Sequence, residues 1–328
     1  MAQVTAPHSV QVSVPAKIVL FGEWAVLDGF AAISATRSAR FTTSVTPNSH
    51  RDNYTFVSNT PENGKLEFSF SAPTNQTAVP PFWTKAYQTF CVLNKQAPWP
   101  AALTFEFDRE WPLVEGLGSS SALFIGLWIL HQIISQKQNA RELRVNLHKS
   151  FFDIKELLLQ VEGGRGSGID IATQLKGGCV VFQQSPNFLK IEPLMGEIPA
   201  ELLVLHTGHK TNTQDALISI DVGTAERAKI GESAQRFLET RDWEKAIVEH
   251  NAILRQTPAM PAWIQDIQSE LTAKNLITTL KTSGAGGGDA LLLWSKAKAL
   301  PSIQEWAAKR GFWLSTSTWD TRGLEISL

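Results

Sequence analysis

Hydrophobic and polar positions alternate at period two through most of the first third of the chain. VQVSV alternates, KIVLFG is a short apolar run ended by glycine, and ARFTTSVTP and LEFSFSAP alternate again, so strands are predicted at each. The stretch from Pro47 to Gly64 is polar and turn-rich and reads as a hairpin connection. ALTFEFD is a further alternating strand. The period then changes. In GLGSSSALFIGLWILHQIISQ, Ser119 and Ser120 stand where helix N-caps belong, and the apolar run from Ala122 to Ile134 predicts a buried helix too short to span a bilayer. RELRVNLHKSFFDIKELLLQVE predicts a second helix, stopped by Gly163 and Gly164.

GGCVVFQQ reads as a strand and SPNF as a turn, which places a domain boundary near Ser185 and divides the chain into 1–185 and 186–328. The second part is built differently. ELLVLHTG is a strand ending in Gly208, and the segment from Thr213 to Asn275 is largely helical by its heptad-like spacing. LITTLKTSGAGGGDALLLWS has two apolar segments around a glycine cluster, and QEWAAKRGFWLSTSTW and GLEISL close the chain with a helix and two strands. The pattern predicts a mixed α+β protein in two lobes.

Composition narrows the function. At 328 residues the chain is long for one core and comfortable for two. Thirty basic residues against thirty-one acidic ones leave a net charge of -1, so no global basic field draws nucleic acid or an anionic membrane, and an anionic ligand must be held by a specific site. Two cysteines, Cys91 and Cys179, make neither a disulfide framework nor a zinc site unaided and read as small buried residues in a reduced compartment. The first residues lack a basic stretch followed by an apolar one, so a soluble, cytoplasmic protein is expected.

Three segments carry candidate chemistry. PAKIVLFGEWAVLDG, from Pro15 to Gly29, is a strand bearing Lys17 that runs into a Gly-Glu-Trp turn. EGLGSSSA, from Glu115 to Ala122, is a glycine-rich loop opening onto a helix. There, successive backbone N–H groups and the positive helix end can cradle a phosphate, and a serine hydroxyl can reach a magnesium ion. It is not a Walker A loop, because the Gly-Lys-Ser/Thr ending is absent. SGAGGGDALLLW, from Ser283 to Trp294, is a second glycine cluster leading into a strand, able to lie close against a ligand or another loop.

In this order the segments resemble the three motifs of the GHMP kinase superfamily, which includes galactokinase, homoserine kinase, mevalonate kinase and phosphomevalonate kinase. Between them GGRGSGIDIATQLKGG, from Gly163 to Gly178, resembles the segment that carries the catalytic aspartate in the mevalonate-route members. The resemblance covers nearly the whole chain and implies an N-terminal lobe of the ribosomal-protein-S5 type and a ferredoxin-like C-terminal lobe, with ATP and acceptor in the cleft between them. Asp289 at the end of GAGGGD, the GSGID around Asp170, and an aromatic residue, Trp24, after Gly-Glu all look like the bacterial phosphomevalonate kinases. Ala16 departs from their Pro-Gly-Lys. The implied activity is ATP- and magnesium-dependent phosphorylation of 5-phosphomevalonate by a monomer or homodimer. Mevalonate kinase is the neighbouring alternative, and a catalytically silent, ligand-sensing homologue is one of a different class.

The resemblance also assigns roles. Asp170 and Lys17 are implied as catalytic, with an N-cap at the start of a helix at Ile171 as the competing role for Asp170 and a pairing with Glu23 as that for Lys17. Gly116, Leu117, Gly118, Ser119, Ser120, Gly286 and Gly287 are implied to hold ATP, with Ser120 on magnesium. Glu156 and Glu162 leave the carboxylate ligand open. Glu23, Trp24, Arg165, Ser167 and Lys210 are expected at the acceptor, with Arg37 and Lys85 as further cations. His206 and His209 flank a Thr-Gly turn without a third ligand nearby, which disfavours a metal there.

Overall fold

Val10–Phe21 form one continuous strand, β1, that merges the two N-terminal segments separated by Pro15. The register against the next strand shifts between Pro15 and Ala16, and this bulge is what lets a proline sit inside a paired strand. The computed structural model describes residues 9–48, 53–71, 79–100, 102–112, 116–163, 166–209, 216, 219–286, 288–315 and 317–328. β1 is followed by β2 (Ala32–Pro47), β3 (Asn53–Thr60), β4 (Gly64–Ser71), α1 (Thr84–Gln96), β5 (Leu103–Arg109), α2 (Ser119–Ile134), α3 (Ala140–Val145), α4 (Leu147–Glu162) and α5 (Ile169–Lys176). Then come β6 (Cys179–Ser185), β7 (Phe188–Pro193), β8 (Leu202–His206), α6 (Thr224–Thr240), α7 (Trp243–Leu254), α8 (Ala262–Ala273), β9 (Ile277–Thr282), β10 (Ala290–Ser295), α9 (Leu300–Lys309), β11 (Trp313–Leu314) and β12 (Glu325–Ser327). The α+β expectation holds.

The first sheet runs β12-β1-β2-β5-β3-β4, and β6 pairs with the other half of β2 and with β7. The expected boundary at Ser185 therefore falls inside the β6–β7 hairpin, and the chain leaves this sheet after Pro193. It returns at its far end, where β12 pairs with β1. The second sheet is antiparallel, β11-β8-β10-β9. One expectation fails: the stretch from Pro47 to Gly64 contains β3, which pairs with β4 and runs parallel to β5. Its alternation is hidden because Thr55 and Ser58 are buried too, Thr55 bonding the Ser69 hydroxyl at 3.0 Å.

α2 is buried along most of its length, from Ala122 to Leu130, against the first sheet. Gly126 makes that approach possible, because a Cβ there would run into the Thr43 side chain on β2. The second core joins the second sheet to helices α8 and α9, and it also takes in Trp24 and Ala25 from the turn after β1.

That turn is where the two cores are fastened together. Lys281 on β9 is fully buried and ion-paired with Glu23, and its Nζ donates to the Leu20 carbonyl at 3.0 Å and the Thr282 carbonyl at 2.7 Å. Burial pushes Glu23 up and Lys281 down, and the pairing opposes both shifts. The Ser283 hydroxyl donates to the Val19 carbonyl at 2.8 Å, and the Gly22 N–H donates to His250 Nε2 at 3.2 Å. Burial and the neighbouring Lys281 charge push His250 down to about 3, so its ring is neutral and Nε2 is free to accept. Lys281→Met should leave the Glu23 carboxylate in the junction without its counter-charge and cost about 3–5 kcal/mol, whereas adding Glu23→Leu should recover most of the loss. Urea denaturation of the two variants measures this, and a single variant within about 1 kcal/mol of the wild type would show that the pair is not a fastening.

Candidate functional site

Lys17 reaches its place from the middle of β1. Its backbone N–H donates to the Leu117 carbonyl at 3.0 Å, which docks the glycine-serine loop onto the strand. Its Nζ lies 2.9 Å from Asp170 Oδ1, with the lysine side chain 8% exposed and the aspartate 37% exposed. The pair is thus buried on the lysine side and open on the aspartate side. Lys17 does not pair with Glu23, which is held by Lys281.

Asp170 lies inside the first turn of α5, because Gly168 takes the boundary position at φ 86°. It does not cap the helix, and its carboxylate is left to meet Lys17. Ser119 and Ser120 are likewise helical rather than N-caps, with Gly118 in the boundary position at φ 85°. Glycine is required there: a Cβ on Gly118 would stand 2.9 Å from Lys17 Cε. Gln174 on α5 braces the assembly, donating from Nε2 to the Pro15 carbonyl at 2.9 Å and the Gly118 carbonyl at 3.1 Å. Sequence reasoning missed it, since an uncharged helix residue carries no signal of its own.

The serines differ in their partners. Ser119 Oγ accepts from Trp111 Nε1 at 3.0 Å. Ser120 Oγ donates to Glu162 Oε1 at 2.8 Å, and Lys85 Nζ closes the triangle at 2.8 Å from Ser120 Oγ and 2.5 Å from Glu162 Oε1. Of the two glutamates left open, Glu162 at the end of α4 meets Ser120, while Glu156 accepts from Gln160 at an exposed position. Two hard oxygens with an ammonium seated on them form a place that suits a cation. Among the described residues no group of three His, Cys, Asp or Glu could hold a metal, so a divalent ion here must take further oxygens from a bound ligand or water.

The third glycine segment comes to the same place from between β9 and β10 of the second sheet. A Cβ on Gly116 would strike the Asp289 carboxylate, so the two glycine loops are in contact. The Thr207 N–H donates to the Asp289 carbonyl at 3.2 Å, and its hydroxyl to the Gly288 carbonyl at 2.5 Å. Gly286 and Gly288, both with positive φ, lie against Ala259 and the Trp263 ring.

The remaining expected site residues take other places, some beside this pair and some apart from it. Glu23 and Trp24 are 3% and 6% exposed, in the junction between the cores. Arg37 lies over the Trp319 ring and donates to Ser317. The Ser167 hydroxyl accepts from the Ile169 N–H at 3.3 Å, just ahead of Asp170. His206 is buried beside Trp313, and the His209 ring lies tilted against Trp263 with centroids 4.7 Å apart. Cys91 and Cys179 are unbridged, and burial pushes the Cys179 thiol up to about 12. Arg165, Lys210 and Gly287 lie outside the described residues.

No protein-family model matches the chain. A mevalonate kinase of Archaeoglobus fulgidus is 26% identical over 291 residues, covering 85% of this chain and 90% of that protein. The solved phosphomevalonate kinase of Streptococcus pneumoniae, in complex with phosphomevalonate and AMPPNP, superposes with TM-score 0.72 at 17% identity over 94% of this chain and 99% of that one. The mevalonate kinase of Methanococcus jannaschii superposes equally well, with TM-score 0.72 at 15% identity over 97% and 99% of the two chains. The chain has the GHMP kinase fold.

Within this GHMP fold, no helix among the described residues is long and apolar enough to cross a membrane. Asp289 is a charge at odds with its surroundings. Burial pushes its carboxyl up to about 6, against the pull of Lys17 and of the Ala290 N–H that it accepts at 3.0 Å. An unfolded aspartate titrates near 3.8, so between about pH 4 and 6 the folded chain keeps a proton that the unfolded chain releases. Stability therefore falls as pH rises through that window, and the loss is complete above it. Asp289→Asn should be more stable than the wild type by about 1–3 kcal/mol near pH 7.5, with the gain vanishing near pH 4. Urea denaturation at both pH values checks this, and a gain that does not change with pH would contradict it.

Proposed function

We propose that the chain is an ATP- and magnesium-dependent kinase that transfers the γ-phosphate to 5-phosphomevalonate. The observation that carries the kinase reading is the Lys17–Asp170 contact at 2.9 Å, set beside a glycine-serine loop at the start of a helix. The first-turn N–H groups of α2 have no partner within the helix and present a positive end to an anion. Gly116 to Ser120, with Gly286 and Gly287 from the second lobe, form the proposed bed for the triphosphate. Lys17 neutralises charge on the transferred group.

Asp170 orients the acceptor. When the acceptor oxygen belongs to a phosphate no strong base is needed, and when it belongs to a hydroxyl Asp170 takes the proton. Magnesium would be held by Ser120 and Glu162, and it would supply charge neutralisation on the β- and γ-phosphates. Lys85, which bonds both oxygens, would have to move off them for that ion to be held, and its ammonium would then be free for a phosphate. Ser167, Arg165 and Lys210 are the proposed acceptor contacts.

Phosphomevalonate is favoured over mevalonate by Asp289 after the glycine cluster and by the Gly-Ser-Gly before Asp170. One observation favours the second reading, mevalonate kinase: the relative at 26% identity carries that name. ADP release measured with mevalonate, 5-phosphomevalonate, homoserine and galactose separates the two. The expected result is a kcat/KM for 5-phosphomevalonate at least about tenfold above each of the others. Faster turnover of mevalonate selects the second reading, and no acceptor-dependent ADP release removes the kinase reading altogether.

A further inference from the structure

A cavity of about 590 Å³ opens between the turn after β1, the α4 surface and the tip of the β6–β7 hairpin. Three large apolar side chains on its rim stand in water: Leu27 is 41% exposed, Phe152 49% and Phe188 50%. Each comes from a different element, so sequence proximity does not account for their meeting. Exposed aromatic surface gathered around a concavity is what a ligand with an apolar body would cover.

Lys155 from α4 also lines the cavity. Its Nζ donates to the Ser167 carbonyl at 3.1 Å and to Gln184 Oε1 at 2.7 Å, both neutral acceptors. An ammonium carries three N–H donors, so one is left over from these two bonds, and besides them Nζ lies 5.8 Å from the centroid of the Phe151 ring. No carboxylate among the described residues lies within salt-bridge reach of it, and burial alone pushes its pKa down, with no opposing anion. Through Ser167 the cavity adjoins the turn that presents Asp170, and a Cβ on Gly168 would stand 3.3 Å from Lys155 Cδ.

We infer that this cavity seats the far end of the acceptor, with Lys155 paired to an anionic group there and Leu27, Phe152 and Phe188 covering a short aliphatic body. The inference rests on the kinase reading and names its substrate class: an aliphatic anion rather than a polyhydroxylated sugar. Sugar hydroxyls set against this rim would lose water without gaining partners. Both 5-phosphomevalonate and mevalonate fit the class, since each carries a carboxylate and a methyl branch remote from the reacting oxygen, and galactose does not.

The test combines kinetics with titration calorimetry of 5-phosphomevalonate and galactose onto the intact chain without ATP. Lys155→Gln should raise the KM and the dissociation constant for 5-phosphomevalonate about ten- to a hundredfold, leaving kcat and the KM for ATP within about twofold. Lys155→Arg should restore most of the affinity, and Phe188→Ser, at an exposed position, should weaken the same binding with no loss of fold. A fall in kcat at unchanged KM would overturn the inference, because Lys155 would then only brace the Ser167 turn. Galactose binding as tightly as 5-phosphomevalonate would overturn it too. A wild type that phosphorylates 5-phosphomevalonate while Lys155→Gln leaves its KM untouched defeats the cavity assignment alone. A wild type that transfers nothing, yet binds 5-phosphomevalonate in a Lys155-dependent way, defeats the kinase reading and leaves the anion pocket standing.

Discussion

The Lys281–Glu23 pair is the constraint on which the rest of the structure depends. Both groups are out of water, and each would be costly to bury alone. Together they fix the end of β1 against β9, so a strand of the first core leads through its turn, at Trp24 and Ala25, into the second. The bonds from Ser283 to the Val19 carbonyl and from Gly22 to His250 hold the same few residues from other directions. β1 also carries Lys17, and the glycine segment that ends in Asp289 follows directly on β9. Fastening the two strands therefore sets the separation of the groups that face each other across the site.

Around Lys17 the arrangement is short of side chains and rich in carbonyls. The Leu117 and Gly118 carbonyls and the Pro15 carbonyl are used to tie loop, strand and α5 together, through the Lys17 N–H and the Gln174 amide. That leaves the amides at the start of α2 turned the other way and available to an anion. Among the described residues, the charges brought close are Lys17 with Asp170, Lys85 with Glu162, and Asp289 with its raised carboxyl. In a chain with net charge -1 no global field draws an anion, so any attraction has to come locally, from Lys17, Lys85 and the amides at the start of α2.

Local features were legible in the sequence and long-range pairings were not. The buried helix α2 and the glycine segments follow from runs of adjacent residues, and the order of those segments carried the resemblance to the GHMP kinases. The serines were misplaced by one step, because Gly118 with its positive φ takes the boundary that Ser119 or Ser120 would take in an ordinary cap. β3 was missed because buried Thr55 and Ser58 erase its alternation. Glu162 could not be told from Glu156, since two carboxylates on one helix look alike until α2 is placed beside one of them. Lys281 and Lys155 carried no signal in the sequence, and only the elements packed over them make one a fastening and the other a cation at a cavity.

The claim at the centre of this account is that transfer takes place at the Lys17–Asp170 contact. Single-turnover transfer of the γ-phosphate, followed in wild type and Asp170→Asn at saturating ATP and 5-phosphomevalonate, tests it most directly. The account predicts a transfer rate lower by about a hundredfold or more in the variant, with the dissociation constant for ATP unchanged. A loss of only about two- to threefold, the size expected from a disturbed helix end, would contradict it.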